Sequence, residues 1–282
     1  MYIYWDTKWH IWSDNITKVM LSRSAQSLGY ILNKNSKYAD IMQEKLSSIY
    51  DFLIENRAYN KELQEKYYKS LVLSHNNIED KITSLLYEIA NTQSQPKIDN
   101  LSKFYRFIYE DQEALTSFQK FVERISNKAS VLYYDLYHGL KNCDGRGPKT
   151  SALFVKTMFH LHNKNYDARL KLWRDAPVNI SANDCLFLPV DSVIIAIFKK
   201  IENKSWTFTS INKEISKYYN GNEIEVWDDL WFWGFITQKV GDKERILEWN
   251  PNKYWSMNES NKDPIVIKTI EEKSKIFLSL LI

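Results

Sequence analysis

Apolar residues recur at every third or fourth position through most of the chain before residue 200. This spacing places them on one face of a helix and predicts amphipathic α-helices. No segment in this part alternates apolar and polar residues over a useful length, so strands are not expected there. The pattern predicts helices over 15–32, 37–59, 61–73, 78–90, 99–107, 113–125 and 126–140.

Helical spacing also dominates the second half of the chain. It predicts a helix over 150–162, an apolar helical run after Asp191, helical segments at 210–221 and 226–238, and a last helix from about Pro264. Short β-like pieces lie near 205–210 and 244–250. No repeat, low-complexity linker or proline-rich boundary divides the chain. We therefore expect a mostly α fold in one compact unit over residues 1–282.

Composition excludes several classes of protein. Hydrophobic residues make up 44% of the 282 residues and charged residues 26%, which is ordinary for a globular protein. No apolar run approaches the roughly 20 residues of a membrane span. The amino terminus lacks the pattern of a secretory signal, so we expect a cytoplasmic protein without a membrane partner. Two cysteines cannot form a structural zinc site or an iron–sulfur cluster, so no metal is expected.

The net charge of +3 is small, but its distribution is uneven. Residues 141–174 hold eight basic residues against only two acidic ones. Such a segment is either a solvated charged face or a surface for a polyanion. The basic residues are Lys141, Arg146, Lys149, Lys156, Lys164, Arg169, Lys171 and Arg174.

Within this segment, three of the seven glycines fall between residues 139 and 147, directly before Pro-Lys-Thr. Proline suits the first turn of a helix, so the stretch predicts a tight hairpin between a helix ending near Leu140 and one beginning near Pro148. Gly145 and Gly147 can adopt positive φ and leave their amides uncovered for an anion. A helix precedes these glycines, which excludes the nucleotide-hydrolase and dinucleotide loops that follow a strand.

Two side chains around this hairpin are candidates for chemistry. Lys149 lies in the first turn of its helix, where the helix dipole disfavours a cation, so the position suits a lysine nucleophile. An exposed lysine under slight electrostatic strain is the alternative. Asp191 stands before an apolar helical run and after Pro189, the position of an N-cap. If its loop packs near the hairpin, the pair supplies a carboxylate beside an amine.

The segments Cys143–Ser151 and Pro189–Ser192 resemble the hairpin and the aspartate motif of the helix-hairpin-helix DNA glycosylases. "KTSALFVKTMFHLH", followed after a long gap by "LPVDSVI", is most similar to the archaeal 8-oxoguanine DNA glycosylase branch. The resemblance implies a two-lobed helical fold with the active site in the cleft between lobes. The motif would occupy about 130–162, and the aspartate loop and helix about 184–201.

The same resemblance implies an enzyme without a cofactor that acts on double-stranded DNA, as a monomer. Lys149 would be the Schiff-base nucleophile and Asp191 the catalytic carboxylate, giving base excision with an abasic-site (AP) lyase step. An extruded base needs a stacking pocket, for which Trp227, Trp231 and Trp233 with Asp228 are the candidates. The residues expected to bind the DNA backbone are Gly145, Arg146, Gly147 and Lys156.

Three functions remain open from the sequence. The first is a DNA repair glycosylase that flips out and removes 8-oxoguanine, the substrate of the nearest branch. The second is an antiviral defence glycosylase that removes a hypermodified base, such as glucosylated hydroxymethylcytosine, from phage DNA. The third is a helix-hairpin-helix protein that binds DNA without catalysis. The co-occurrence of Lys149 and Asp191 favours an enzyme, because backbone binding requires neither.

Overall fold

The computed structural model describes residues 40–163, 165–241, 245–257 and 263–282. The helix predicted over 15–32 lies outside these ranges, as does Lys164. The chain divides into two compact units, 1–47 and 48–282. In the first unit, residues 40–47 are helical. A single glycosylase-like unit over 1–282 stays a prediction.

The second unit is mostly helical, as the apolar spacing predicts. It begins with helical residues 48–55 (α1). The helices that follow are α2 (Arg57–Val72), α3 (Ile78–Asn91), α4 (Ile98–Tyr109), α5 (Phe118–Ser126), α6 (Tyr133–Asn142), α7 (Pro148–His162), α8 (Ser192–Ile201), α9 (Phe208–Ile215), α10 (Asn222–Val226), α11 (Asp229–Ile236), α12 (Pro251–Met257) and α13 (Pro264–Leu280). Two short 3-10 helices cover Gln112–Thr116 and Ala168–Leu170. Among the described residues, none of these helices is long and apolar enough to cross a membrane.

Polar residues divide two of the predicted helices. Asn56 interrupts the helix expected over 37–59, and its side chain donates to the carbonyl of Phe52 at 2.8 Å. Ser117 separates the 3-10 helix at Gln112–Thr116 from α5, and its hydroxyl accepts from the N–H of Lys120. Both residues offer hydrogen bonds that compete with a continuous helix. The spacing of the apolar residues alone does not predict such breaks.

One of the two β-like predictions is wrong and the other is confirmed. Within 205–210, Thr207 is extended, and its side chain accepts from the N–H of Ser210 to start α9. The segment near 244–250 does contain a strand. Strands β1 (Gln238–Val240) and β2 (Arg245–Leu247) pair antiparallel, with Gln238 opposite Leu247.

A buried aromatic core supports α5, α6 and α7. Phe118 packs edge to face on Trp173, and the tilted Phe121 ring also contacts it. The indole N–H of Trp173 donates to the Leu115 carbonyl at 2.7 Å. Asp184 fixes the start of α6, because its carboxylate accepts the N–H groups of Tyr133 and Tyr134. The hairpin after α6 is therefore carried by a rigid helix. The core rings are Phe118, Phe121, Tyr133, Phe154, Phe159 and Trp173.

Helices α8 and α11 approach each other closely at Gly234. A Cβ atom at this glycine would lie 2.5 Å from Cδ1 of Ile197 and 2.8 Å from Cγ1 of Val193. Only a residue without a side chain allows this spacing. The contact holds the start of α8, next to Asp191, against the face of α11 that carries Trp231.

Candidate active site around Asp191

Asp191 is the N-cap of α8, as its position before an apolar run predicts. Its Oδ1 accepts the N–H of Val193 at 2.8 Å and that of Ile194 at 3.1 Å. Its Oδ2 accepts the indole N–H of Trp231 at 3.1 Å. Since both oxygens are bound, the carboxylate has one fixed orientation. Its side chain is half-buried, so the group remains within reach of a ligand.

The bond to Asp191 comes from an exposed aromatic surface. Trp231 is 37% exposed and stacks on Phe235 with ring centroids 4.8 Å apart and an angle of 16° between planes. The Nζ atom of Lys253, from α12, lies 4.5 Å from the centre of the Phe235 ring. A carboxylate, a flat aromatic face and an amine are thus linked by successive contacts.

Charges around Lys253 connect it electrostatically to the same site. Its pKa is lowered, first by burial and then by the positive charge of Arg245, while the Asp191 carboxylate opposes the shift. Arg245 donates to the hydroxyl of Ser192 at 2.7 Å. A lysine with a lowered pKa has a larger neutral fraction, which is the nucleophilic form.

The glycine hairpin has the predicted outline, and Gly145 but not Gly147 has the expected positive φ. Gly145 has φ +71°, and a Cβ atom there would lie 2.9 Å from the backbone nitrogen of Leu101. Gly147 is extended, with φ −131°, so its expected positive φ is wrong. Its N–H donates to Thr150 Oγ1 at 3.0 Å and is already engaged. An anion bound there would have to compete with this hydrogen bond.

Lys149 points to another helix. Its Nζ donates to the carbonyl of Thr92, the C-cap of α3, at 3.0 Å. The carboxyl end of a helix dipole is negative, so α3 offsets the unfavourable field at the start of α7. The structure thereby supplies a structural reason for a lysine at this position. The hydrogen-bonding partners of Lys149 and Asp191 are different residues, and their roles stay predictions.

Arg146 is a packing residue rather than an exposed cation. It is 8% exposed, and its guanidinium lies 4.3 Å from the centre of the Phe104 ring. It donates to the Leu86 carbonyl at 3.1 Å, and burial lowers its pKa. The expected contact between Arg146 and a DNA phosphate requires this side chain to leave the interior.

Lys156 is likewise internal, at 7% exposure, and forms an ion pair with Asp228 at 2.8 Å. Burial disfavours its charge, but the Asp228 carboxylate together with Tyr68 and Asp229 outweighs this effect and raises its pKa. Gln64 Nε2 donates to the same carboxylate at 2.7 Å. Lys156 therefore faces an interior partner, and its expected contact with a DNA phosphate is not available in this conformation.

This ion pair belongs to a larger set of interior polar groups, which we call the polar cluster. Helices α2 and α7, and Tyr166 just before the 3-10 helix at Ala168–Leu170, supply donors and aromatic rings. The segment 225–229 supplies three carboxylates. Tyr166 bonds to Gln64 Oε1 at 2.7 Å and stacks on His160. The cluster comprises Arg57, Asn60, Gln64, Tyr68, Lys156, His160, Tyr166, Glu225, Asp228 and Asp229.

The pKa values of two carboxyl groups in the cluster are shifted in opposite directions. Burial raises the pKa of Asp229 to about 7, although the charge of Arg57 and a hydrogen bond from Asn60 oppose it. Burial also acts to raise the pKa of Glu225, but His160 and Arg57 outweigh it and lower the value to about 2. A carboxyl that titrates near neutrality beside one that stays ionised is typical of functional sites and of structural ion networks.

The three candidate tryptophans occupy different environments. Trp227 and Trp233 are fully buried, the former against Tyr50 and Tyr219, the latter against Phe52 and other rings. Neither ring has a free face for a base. Of the three, Trp231 alone is exposed, and it bonds to Asp191.

The basic stretch 141–174 does not form one exposed surface. Arg146 and Lys156 are internal, and Arg169 forms an ion pair with Asp167. A count of charge along the chain therefore does not locate a basic face.

Comparison with known proteins adds no assignment. No protein-family model, no curated protein and no solved structure matches this chain. The function of the site must therefore be inferred from its own geometry.

Within the described ranges, no group of three or more histidine, cysteine or acidic side chains is placed to hold a metal ion.

Several residues of the site lie beyond what the sequence indicates. Lys253 belongs to α12, a seven-residue helix without a clear apolar period, and Arg245 lies in a three-residue strand. The polar cluster joins residues 57–68 to residues 225–229, more than 150 positions away in sequence. The only local signal was the Asp-Asp pair in "VWDDLWFW", since adjacent acids in an apolar segment require partners.

Proposed function

We propose that this chain is a DNA glycosylase in which Asp191 is the catalytic carboxylate. The observation that carries the proposal is the fixed Asp191 side chain with an exposed indole on one of its oxygens and an amine nearby. In the same proposal, α6, the hairpin at 143–147 and α7 form a helix-hairpin-helix motif against double-stranded DNA. The two-lobed fold, the cleft and the monomeric state implied by the resemblance are part of it.

The chemistry required is cleavage of the bond between C1′ and the base. The bonding electrons leave with the base, and positive charge develops on C1′ and the ring oxygen of the sugar. Asp191 stabilises this charge, because its orientation is set before the substrate binds. The extruded base stacks on Trp231, which is bound to the same carboxylate.

The lyase step requires an amine that attacks C1′. The C1′–O4′ bond of the sugar ring then breaks, O4′ takes up a proton that the amine has lost, and the nitrogen and C1′ form a protonated Schiff base. The resemblance assigns this role to Lys149, which must then leave the Thr92 carbonyl. Lys253 is a second candidate, since its pKa is lowered and Asp191 lies within its electrostatic range. The amine that forms the Schiff base is the residue that borohydride reduction attaches to DNA.

The trapping experiment distinguishes these lysines directly. The protein is incubated with a duplex containing an abasic site in the presence of borohydride, and the cross-linked peptide is identified by mass spectrometry. Lys149→Ala abolishes the cross-link if Lys149 is the nucleophile, and Lys253→Ala abolishes it if Lys253 is. Lys213→Ala, an exposed lysine on α9, is the control. A cross-link retained in both single variants and their double variant contradicts both assignments.

8-Oxoguanine is the base that the resemblance implies, and in this proposal it meets Lys156 and Asp228 once the buried polar cluster opens. This base differs from guanine by an N–H donor at N7 and a carbonyl acceptor at C8. Asp228 and Lys156 form an acceptor and donor pair of matching polarity, bonded to each other at 2.8 Å. A base that enters the cluster would replace this contact and the one from Gln64. Asp228→Asn would then lower excision of 8-oxoguanine more than removal of other bases.

The proposal is tested with duplexes that carry 8-oxoguanine, glucosylated hydroxymethylcytosine or unmodified bases, with released bases quantified by mass spectrometry. Asp191→Asn is expected to abolish release, while its amide oxygen still caps α8. Asp263→Asn is the matched control, because Asp263 caps α13 through the N–H of Ile265. Release of the glucosylated base alone would identify a defence enzyme. Binding without release from any duplex would favour the non-catalytic protein and overturn the proposal.

A further inference from the structure

A cavity of about 590 Å³ runs along one side of α8 and begins next to Asp191. Its wall includes Ser192, the first residue of α8, and extends to Lys199 and Lys200 in the last turn. Arg245, from β2, also lines it. Three cationic side chains therefore face one cavity that adjoins the candidate active site.

These cations lack acidic partners. Among the residues that the structure describes, Lys199 and Lys200 form no ion pair, and Arg245 donates to the neutral hydroxyl of Ser192. The negative carboxyl end of α8 offsets part of the charge of Lys199 and Lys200. No carboxylate of a described residue pairs with them, so the cations that line the cavity concentrate positive potential there. The ligand that fits such a cavity is an anion.

The spacing of the cations matches a nucleic-acid backbone. Ser192, which bonds to Arg245, and Lys199 are seven residues apart on α8, which corresponds to about 11 Å at ~1.5 Å per residue. One strand of a duplex places a charge at about every 3.4 Å along the helix axis, so this length covers roughly three phosphates. A strand that follows α8 would reach Asp191 at the amino-terminal end.

We propose that the cavity along α8 binds the phosphates of the DNA strand next to the nucleotide at Asp191, through Arg245 at one end and Lys199 with Lys200 at the other. This inference rests on the proposed glycosylase function and adds the backbone contact that Arg146 and Lys156 do not provide in this structure. Such contacts fix the position of the strand without reading its sequence.

The test is the salt dependence of binding to a duplex with a tetrahydrofuran abasic analogue, measured by fluorescence anisotropy with the full chain. Lys199→Gln/Lys200→Gln is expected to weaken binding about tenfold near physiological salt and to reduce the slope of log K against log salt by about 2. Lys213→Gln/Lys268→Gln, at exposed lysines of α9 and α13 outside the cavity, is the matched control and should change neither.

The outcomes separate this inference from the function on which it rests. Wild-type binding with an unchanged slope in Lys199→Gln/Lys200→Gln overturns the inference alone. A reduced slope together with no base release from any duplex supports the phosphate site and overturns the glycosylase. If the wild-type chain binds no duplex, both the phosphate site and the glycosylase function are contradicted. An equal reduction of the slope in the control pair would also overturn the inference. The effect would then come from the lower net charge of the protein and not from the cavity.

Discussion

The indole N–H of Trp231 donates to Oδ2 of Asp191 at 3.1 Å and joins α11 to the start of α8. The other carboxylate oxygen is held by two backbone N–H groups of α8. The tryptophan consequently combines two properties that an active site of this kind requires. It orients the carboxylate, and it presents an exposed ring beside it.

Trp231→Phe tests this relationship, because it removes the hydrogen bond and keeps an aromatic ring over Phe235. We expect single-turnover base release to fall about tenfold, as for loss of one hydrogen bond worth about 1.5 kcal/mol to a charged group. Stability should change by less than about 1 kcal/mol, since the ring is partly exposed. Trp206→Phe is the control, because its indole donates to the Glu202 carbonyl at 3.1 Å, away from Asp191. Unchanged release in Trp231→Phe would contradict an orienting role.

The close packing of α8 on α11 gives a second prediction. Gly234→Ala inserts a methyl group 2.5 Å from Ile197 Cδ1 and should destabilise the fold by about 1–3 kcal/mol. Gly147→Ala should cost less, about 0.5 kcal/mol, since nothing lies within 4 Å of its added Cβ, its φ is negative and only the poorer N-cap propensity of alanine is lost. Urea unfolding measures both. Adding Ile197→Val to Gly234→Ala removes the nearest atom and should restore part of the loss.

The raised pKa of Asp229 predicts a pH dependence of stability. The unfolded chain releases the Asp229 proton near pH 4, whereas the folded protein holds it up to about pH 7. The folded state therefore binds more protons in this interval, and its stability falls as pH rises from 4 to 7. Subtracting the Asp229→Asn curve from the wild-type curve should show this decline, with no further change above pH 8. Parallel curves across the interval would contradict the shifted pKa.

The ends of helices could be predicted from the sequence where neighbouring residues determine them. The start of α7 at Pro148 and the cap of α8 by Asp191 were both predicted, because helix ends depend on nearby residues. The mostly helical content followed from the period of apolar positions. The divisions at Asn56 and Ser117 did not, since those residues compete with a helix only once their own hydrogen bonds are formed.

The site was predictable only in part, because its contacts join distant segments. Asp191 and Trp231 were both identified as candidates, but their hydrogen bond spans 40 positions. The partner of Lys149 lies 57 positions earlier, at the end of α3, and only folding brings that negative helix end to the lysine. Arg146 packs in the interior although it is charged, since the Phe104 ring receives its guanidinium.

The buried pair of Lys156 and Asp228 allows a test of what the polar cluster contributes to stability. Removing one partner leaves the other charge buried without compensation, so Lys156→Met and Asp228→Leu should each destabilise the fold by about 3–5 kcal/mol. Replacing both removes both charges, so the double variant should be more stable than either single variant, with a coupling energy measured by a double-mutant cycle in urea. Gln64 would lose its carboxylate partner in the double variant, which limits the recovery of stability.

If the double variant recovers stability but loses excision of 8-oxoguanine, the pair is retained for base recognition rather than for folding. Additive losses in the cycle would show instead that the two side chains act independently.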